Sequence, residues 1–249
     1  MAAPELMIVA DPAALAEAAA DAVVEAATSA VAVRGRFTVA LAGGSTPRTA
    51  YELLAAPRRS ARMPWAVTHV FFGDERGVGP EHPDSNYRMA HAALLAKVPV
   101  PADQVYRVRA DAVDPEEAAR EYARTLAEVF GTRRGELPRF DLVLLGIGID
   151  GHTASLFPGS PVLKEVFRTV AAVHAAAAVI PQRFTLTLPV LNAAARVVVL
   201  ASGAEKAKVV RAALADKGTS LPAAMVAPPE GRLTWLLDRA AAALLPPTP

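Results

Sequence analysis

Short apolar runs rich in valine, leucine and phenylalanine recur along this chain, and between them lie alanine-rich stretches with helical spacing. That alternation is the strongest constraint on the fold. A chain that keeps returning from a helix to a strand builds a sheet with parallel neighbours and covers both of its faces. Periodicity predicts strands over residues 37–41, 67–72, 105–108, 140–147, 184–188, 197–201 and 233–236, and helices over 12–31, 47–56, 87–97, 115–130, 204–215 and 238–244. The expected architecture is α/β: an open, doubly wound, Rossmann-like sheet, mostly parallel, with helices on both faces. A hydrophobic content of 53% supplies a core for one such unit, and no composition shift is long enough to be an interdomain linker, so residues 1–249 are expected to form one domain. The Pro-, Gly- and charge-rich segment 131–138 reads as a hinge or lid.

Charge and cysteine content exclude several classes of function. Lys and Arg number 26 against 25 Asp and Glu, without a dense basic tract, so no nucleic-acid partner is expected. The chain has no cysteine, which removes disulfides, thiolate nucleophiles and Cys-based zinc or iron–sulfur sites. Its five histidines are dispersed without metal-ligand spacing, and no metal is expected. The first residues lack a basic leader and carry Glu5, Asp11, Glu17 and Asp21, and the apolar runs are too short to span a bilayer. A cytoplasmic protein without a membrane partner is expected, as a monomer or weak homo-oligomer.

In a doubly wound sheet, ligands bind beyond the carboxyl ends of the strands, so the loops that follow strands are the places to search. The first is ALAGGSTPRTAYELLA, where strand 37–41 delivers Gly43, Gly44, Ser45 and Thr46, and Pro47 suits the first helical position. Glycines let backbone approach a ligand, and the N–H groups of the following helix with two hydroxyls would form an anion site with phosphate as its usual occupant. The same residues would also serve as an ordinary tight turn with Ser45 or Thr46 as N-cap. The run GIGIDG at 146–151 satisfies G-x-G-x-x-G, but Pro158, Gly159 and Pro161 interrupt any helix after it, which argues against a dinucleotide site.

That run continues into IDGHTASLFPGS, which sets Asp150 and His152 two residues apart beyond a strand; in extended backbone they would point the same way. A histidine beside a carboxylate is a workable general base; a loop histidine bonded to backbone is the simpler reading. His69, inside a strand, reads as a satisfied core residue. A third strand end, FFGDERGV, supplies Asp74, Glu75 and Arg76, either a solvated turn or a clamp for an anionic substrate. Arg183 in RFTLT and Lys206 in SGAEKAKVV add cations that taken singly read as surface charge.

Taken together, LAGGSTPR, FFGDERGV with HPDSNYRMA, LLGIGIDGHTASLFPGS, RFTLTLPVLNAA and SGAEKAKVV resemble the glucosamine-6-phosphate isomerase/6-phosphogluconolactonase family, and its lactonase members in particular, from about Phe37 to the expected C-terminal helix. The resemblance implies a Rossmann-like sheet, a phosphorylated sugar lactone as the small-molecule substrate, hydrolysis of 6-phosphoglucono-1,5-lactone in the oxidative pentose phosphate pathway, and no metal or organic cofactor. It implies that the loop Gly43–Gly44–Ser45–Thr46, with Arg183 and Lys206, holds the 6-phosphate. By the same resemblance, Arg76 would contact the substrate and His152, with Asp150 beside it, would activate water. Asp74 matches a carboxylate that is catalytic in the deaminase relatives. An isomerising deaminase is the nearest alternative, but deaminases carry a glutamate five residues after the histidine, where this chain has Phe157. A non-catalytic sugar-phosphate sensor is a further alternative; no helix-turn-helix or basic extension flanks the domain.

Overall fold

The computed structural model describes residues 4–176, 178–216 and 218–246. Its centre is a six-stranded sheet made, in spatial order, of β1 (Glu5–Val9), β9 (Arg232–Asp238), β8 (Arg196–Ala201), β5 (Leu142–Gly146), β2 (Phe37–Leu41) and β3 (Thr68–Phe72). Every neighbouring pair in it is parallel. A three-stranded antiparallel sheet, β4 (Asp74–Arg76), β7 (Gln182–Leu186) and β6 (Val170–His174), continues from the end of β3. The helices are α1 (Pro12–Arg34), α2 (Ser45–Ala55), α3 (Pro57–Ser60), α4 (Asn86–Ala93), α5 (Pro115–Phe130), α6 (Leu188–Ala193), α7 (Ala207–Leu214) and α8 (Pro222–Met225). Among the described residues, no helix is long and apolar enough to cross a membrane.

The central strands are apolar throughout because both faces are covered. In β5, Leu142 and Leu144 pack with α1, α2 and α4 on one face, while Val143 and Leu145 pack with α5 and the small sheet on the other. Caps set the helix limits. Asp11 accepts from the Ala14 amide and Asp114 from those of Glu116 and Glu117, while Gly35 and Gly131, both left-handed, end α1 and α5.

The doubly wound, mostly parallel sheet agrees with the sequence expectation, and the differences are local. Residues 105–108 form only an isolated bridge, Val105 to Val70, at the sheet's outer edge. The run expected at 184–188 lies in the small antiparallel sheet instead of the large one. Residues 239–245 are turns, with Asp238 ending β9, in place of the expected helix. Strands β1, β4 and β6 have no counterpart among the strands expected from periodicity. Helix α2 starts at Ser45, two residues before Pro47, and its N-cap is Gly44 without a side-chain cap, so neither Ser45 nor Thr46 plays that part. Segment 131–138 is not a lid over the site: it leads from α5 into the amino end of β5, the sheet edge opposite the carboxyl-end loops.

At that amino edge, buried Asp141 joins β5 to β2. Its carboxylate accepts from the Thr38 amide at 2.7 Å, the Thr38 hydroxyl at 2.9 Å and Arg34, and its own amide donates to the Thr38 carbonyl at 3.2 Å. Replacing Asp141 by alanine leaves the buried Thr38 amide without an acceptor and is expected to lower stability by about 1–3 kcal/mol. Urea unfolding should show a lower midpoint at unchanged slope.

Candidate active site

The chain reverses direction across the sheet between β2 and β5. After β2 it crosses to α2 on one face; after β5 it runs to Leu156 and Val162 on the other. This divergence opens a crevice at the carboxyl ends of the strands. The loops after β2, β3, β5 and β8 meet there around a cavity of about 240 Å³ lined by Gly43, Gly44, Asp74, Arg76, His152, Arg183 and Lys206, among others. A compartment of about 500 Å³ adjoins it on one side, bordered by Ser45, Thr46, Ser202 and Gly203, and sharing Gly43, Gly44 and Lys206. Another of about 870 Å³ adjoins it on the other, bordered by Asp150 and Phe157, and sharing Arg76, His152 and Arg183.

Every residue singled out from the sequence for the site therefore lies on one continuous groove. Seven border its centre, Ser45 and Thr46 lie at one end and Asp150 at the other.

The Asp150–His152 pair forms as expected, though by a different backbone route. Residues 148–151 make a turn closed by the Gly151 amide on the Gly148 carbonyl at 3.0 Å; they are not extended. The turn brings Asp150 Oδ1 to 2.6 Å from His152 Nδ1 and to 3.2 Å from the His152 amide. A Cβ on Gly148 would lie 2.1 Å from Nδ1, so the turn closes over the ring only because residue 148 has no side chain. Burial works against the Asp150 charge, but the His152 amide and ring outweigh it and hold the carboxyl below its usual range. An ionised Asp150 accepts from Nδ1–H, which leaves Nε2 as the basic nitrogen. The Phe157 ring packs against the imidazole with centroids 4.7 Å apart.

The β3–β4 junction divides its three charges. Asp74 borders the central cavity, its Oδ2 accepting from the Ser155 hydroxyl at 2.8 Å and its Oδ1 from Asn86 Nδ2 at 3.0 Å. Glu75 is buried and caps α4, accepting from the amides of Asn86 and Tyr87 and from the Ser85 hydroxyl. Burial pushes its carboxyl up, against the pull of those amides. Arg76 is tied by Nη1 to the Asp84 carbonyl at 2.6 Å, while its buried Nε has no acceptor among the described residues.

Arg183 sits directly across the β4–β7 pair from Arg76. Desolvation, and then the Arg76 charge, lowers the pKa of Arg183, as expected of two cations facing one another in a half-buried site. Lys206 donates from Nζ to the Ile147 carbonyl at 2.9 Å, which holds it across the mouth between the β5 and β8 loops.

Outside the site, His69 is a half-buried residue paired with the Tyr106 hydroxyl at 3.2 Å. Among the described residues, no group of three or more His, Asp or Glu side chains is placed to hold a metal ion.

Sequence reading does not single out Asn86, Ser155 or Ala154. Asn86 and Ser155 are buried and aim Asp74. Ala154 lines the central cavity at φ 48°, in the left-handed region that costs a residue with a Cβ about 1–2 kcal/mol. The sequence carries no signal that separates them: Ser155 stands in the polar run DGHTAS and Asn86 in DSNYRMA, where Ser, Thr and Asn read as ordinary turn and helix-cap residues.

Residues 10–235 match the family described as glucosamine-6-phosphate isomerases/6-phosphogluconolactonase. The chain is 45% identical over 213 residues to the 6-phosphogluconolactonase of Rattus norvegicus, covering 85% of this chain and 82% of that one. It is 43% identical over 216 residues to that of Synechocystis sp., covering 86% and 87%. The solved 6-phosphogluconolactonase of Trypanosoma brucei superposes with a TM-score of 0.86 at 34% identity, over 98% of this chain and 99% of that one.

The approach of α4 to the Gly43 loop yields a test of the site's packing. A Cβ at residue 43 would lie 1.8 Å from Asn86 Oδ1. Gly43→Ala is expected to cost about 1–3 kcal/mol by overpacking. In the double variant with Asn86→Ala, the two losses should add to less than their sum, because the second change removes the clash created by the first. Urea midpoints of the two single variants and the double variant measure that coupling.

Proposed function

Because the chain belongs to the glucosamine-6-phosphate isomerase/6-phosphogluconolactonase family, and its activity is that of the lactonases in it, we propose that the groove hydrolyses 6-phosphoglucono-1,5-lactone with His152 as general base. The observation that carries the assignment is the Asp150–His152 pair, 2.6 Å apart, facing the cavity that Gly43, Gly44 and Lys206 also line. The phosphate lies against the uncapped start of α2 and Lys206, with Arg183 reaching it across the central cavity. The lactone carbonyl then lies towards His152. Binding energy from the non-reacting phosphate thereby orients the reacting end.

His152 Nε2 takes a proton from water as the water oxygen bonds to C1, and the carbonyl electrons move onto oxygen. Arg76, which lines the central cavity together with His152, supplies the positive charge that stabilises that oxyanion. Collapse breaks the bond from C1 to the ring oxygen, and imidazolium returns its proton to the leaving alkoxide, giving 6-phosphogluconate. Asp74, whose side-chain partners Asn86 and Ser155 are both donors, presents an acceptor to the sugar hydroxyls. Phe157 favours hydrolysis over isomerising deamination, because an apolar ring against His152 can neither shuttle a proton nor pair with imidazolium.

His152→Ala should reduce turnover of freshly generated lactone by about 10²–10⁴-fold once spontaneous hydrolysis is subtracted, with 6-phosphogluconate still binding. A loss below tenfold would move the base elsewhere. Removing Lys206 or Arg183 deletes a charge-assisted hydrogen bond of about 1.5–3 kcal/mol, hence roughly 10- to 150-fold in kcat/KM on the phosphorylated lactone. Glucono-1,5-lactone, which lacks the phosphate, should be a poor substrate that loses little more. Equal losses on both lactones would assign the mutated cation to the carbonyl end.

A further inference from the structure

One carboxylate outside the groove is more completely enclosed than any within it. Asp238, the last residue of β9, has no exposed surface. Its Oδ2 accepts from the Ser202 hydroxyl at 2.6 Å, its Oδ1 accepts from the Ala241 amide at 2.7 Å, and the Gly203 amide is shared between them, at 3.0 Å from Oδ2 and 3.2 Å from Oδ1. These partners are neutral donors, so the cost of burying a charge is met by hydrogen bonds alone.

Two of them belong to the segment that borders the phosphate end of the groove, where Ser202, Gly203 and Lys206 line the same compartment as Ser45 and Thr46. The Gly203 carbonyl in turn accepts from the Lys206 amide at 3.1 Å, and Lys206 Nζ donates to the Ile147 carbonyl at 2.9 Å. A connected path of hydrogen bonds thus runs from the end of β9, through the β8 loop, to the cation at the centre of the groove.

We propose that Asp238 is a positioning residue for phosphate recognition: it fixes the Ser202–Gly203 backbone so that Lys206 is held over the anion before substrate arrives. This rests on the reading that Lys206 contacts the phosphate. Among the described residues, Asp238 is the only side chain that hydrogen-bonds the backbone of residues 202–206. Gly203 has φ 99°, and the segment 204–206 is a single 3-10 turn without a side-chain cap. With the loop loosened, Lys206 must be ordered at the moment of binding, and that entropy is subtracted from affinity. Asp238 touches neither the Asp150–His152 turn nor Arg76, so the chemical step is untouched once substrate is seated.

An asparagine at 238 keeps the shape but puts an NH2 donor in place of one oxygen; because the Gly203 amide lies against both oxygens and the Ala241 amide against Oδ1, that donor faces a backbone N–H in either orientation. Asp238→Asn is expected to raise KM for the phosphorylated lactone roughly tenfold while kcat changes less than about twofold, and to leave kcat/KM for glucono-1,5-lactone unchanged. Ser202→Ala, a milder cut of the same contact from the loop side, should shift KM in the same direction by a smaller factor. Adding it to Asp238→Asn should change little further.

The measured quantity is the ratio of kcat/KM on the two lactones within each variant, so that any loss of folded protein cancels. Lys206→Ala is the reference. If it abolishes the preference for the phosphorylated lactone while Asp238→Asn leaves that preference at the wild-type value, Asp238 serves only to cap the final turn and the proposal is overturned. If Lys206→Ala leaves the preference intact, the phosphate reading itself has failed, and the role given to Asp238 falls with it.

Discussion

The pairing of β2 with β5 is the constraint on which the rest of the structure depends. These adjacent parallel strands release their chains to opposite faces of the sheet, one into α2 and the other into the turn that carries Asp150 and His152. Had both crossed to one face, the two segments would have packed against each other and closed the crevice. At the other edge of the sheet, Asp141 and Thr38 lock the same two strands in register. One pair of strands therefore has a rigid amino edge and a divided carboxyl edge. The groove is what the division leaves open.

Around that groove, backbone geometry sets the electrostatics. Arg76 and Arg183 face each other because β4 and β7 pair antiparallel in that register, and neither long side chain finds a carboxylate there as a direct ion-pair partner among the described residues. Asp74 compensates only in part, since Ser155 and Asn86 hold it in a fixed direction. Such an arrangement is costly when empty and favours an anionic ligand, as expected of a binding site built for charge rather than of a stabilising network. Glu75, the acid beside the two arginines, plays a different part. Turned inwards onto the start of α4, it anchors the segment to which Arg76 is tied through Asp84.

Hydrogen bonds from residues outside the reaction keep these groups in place. Tyr51 both accepts from the Ala42 amide and donates to the Ala42 carbonyl, which ties α2 to the loop it follows. The Thr153 hydroxyl donates to the Gly146 carbonyl at 2.8 Å, and the Ser155 amide to the Thr185 hydroxyl at 3.2 Å, so the histidine turn is fastened at both the large and the small sheet. Each contact spans two elements, and each uses a polar group that would be costly to bury unpaired. The preorganisation of the site is distributed over these contacts, and the reacting groups need not supply it.

The sequence by itself determined five of the six strands of the large sheet, β2, β3, β5, β8 and β9, and the groups that would meet at their ends. Runs such as Phe37–Leu41 and Leu142–Gly146 are apolar on both faces and bounded by glycine, so local chemistry leaves them little choice but a buried parallel strand. Gly43, Gly44, Asp150, His152 and Lys206 were legible because each follows such a strand. What only the tertiary structure decided was everything that depends on distant partners. Strand β6, with the sequence VAAVH, has no strong strand pattern of its own and forms because β7 supplies its hydrogen bonds; β1 is exposed on its edge and forms because β9 does the same. Asp238 looks in the sequence like the start of a helix and is a strand end whose carboxylate serves a loop 35 residues earlier. Asp74 and Glu75 are neighbours with nothing in their sequence to tell them apart, yet one faces the cavity and the other the core. The reason is that side chains alternate along a strand, and which face looks inward is fixed only when the sheet has found its partners.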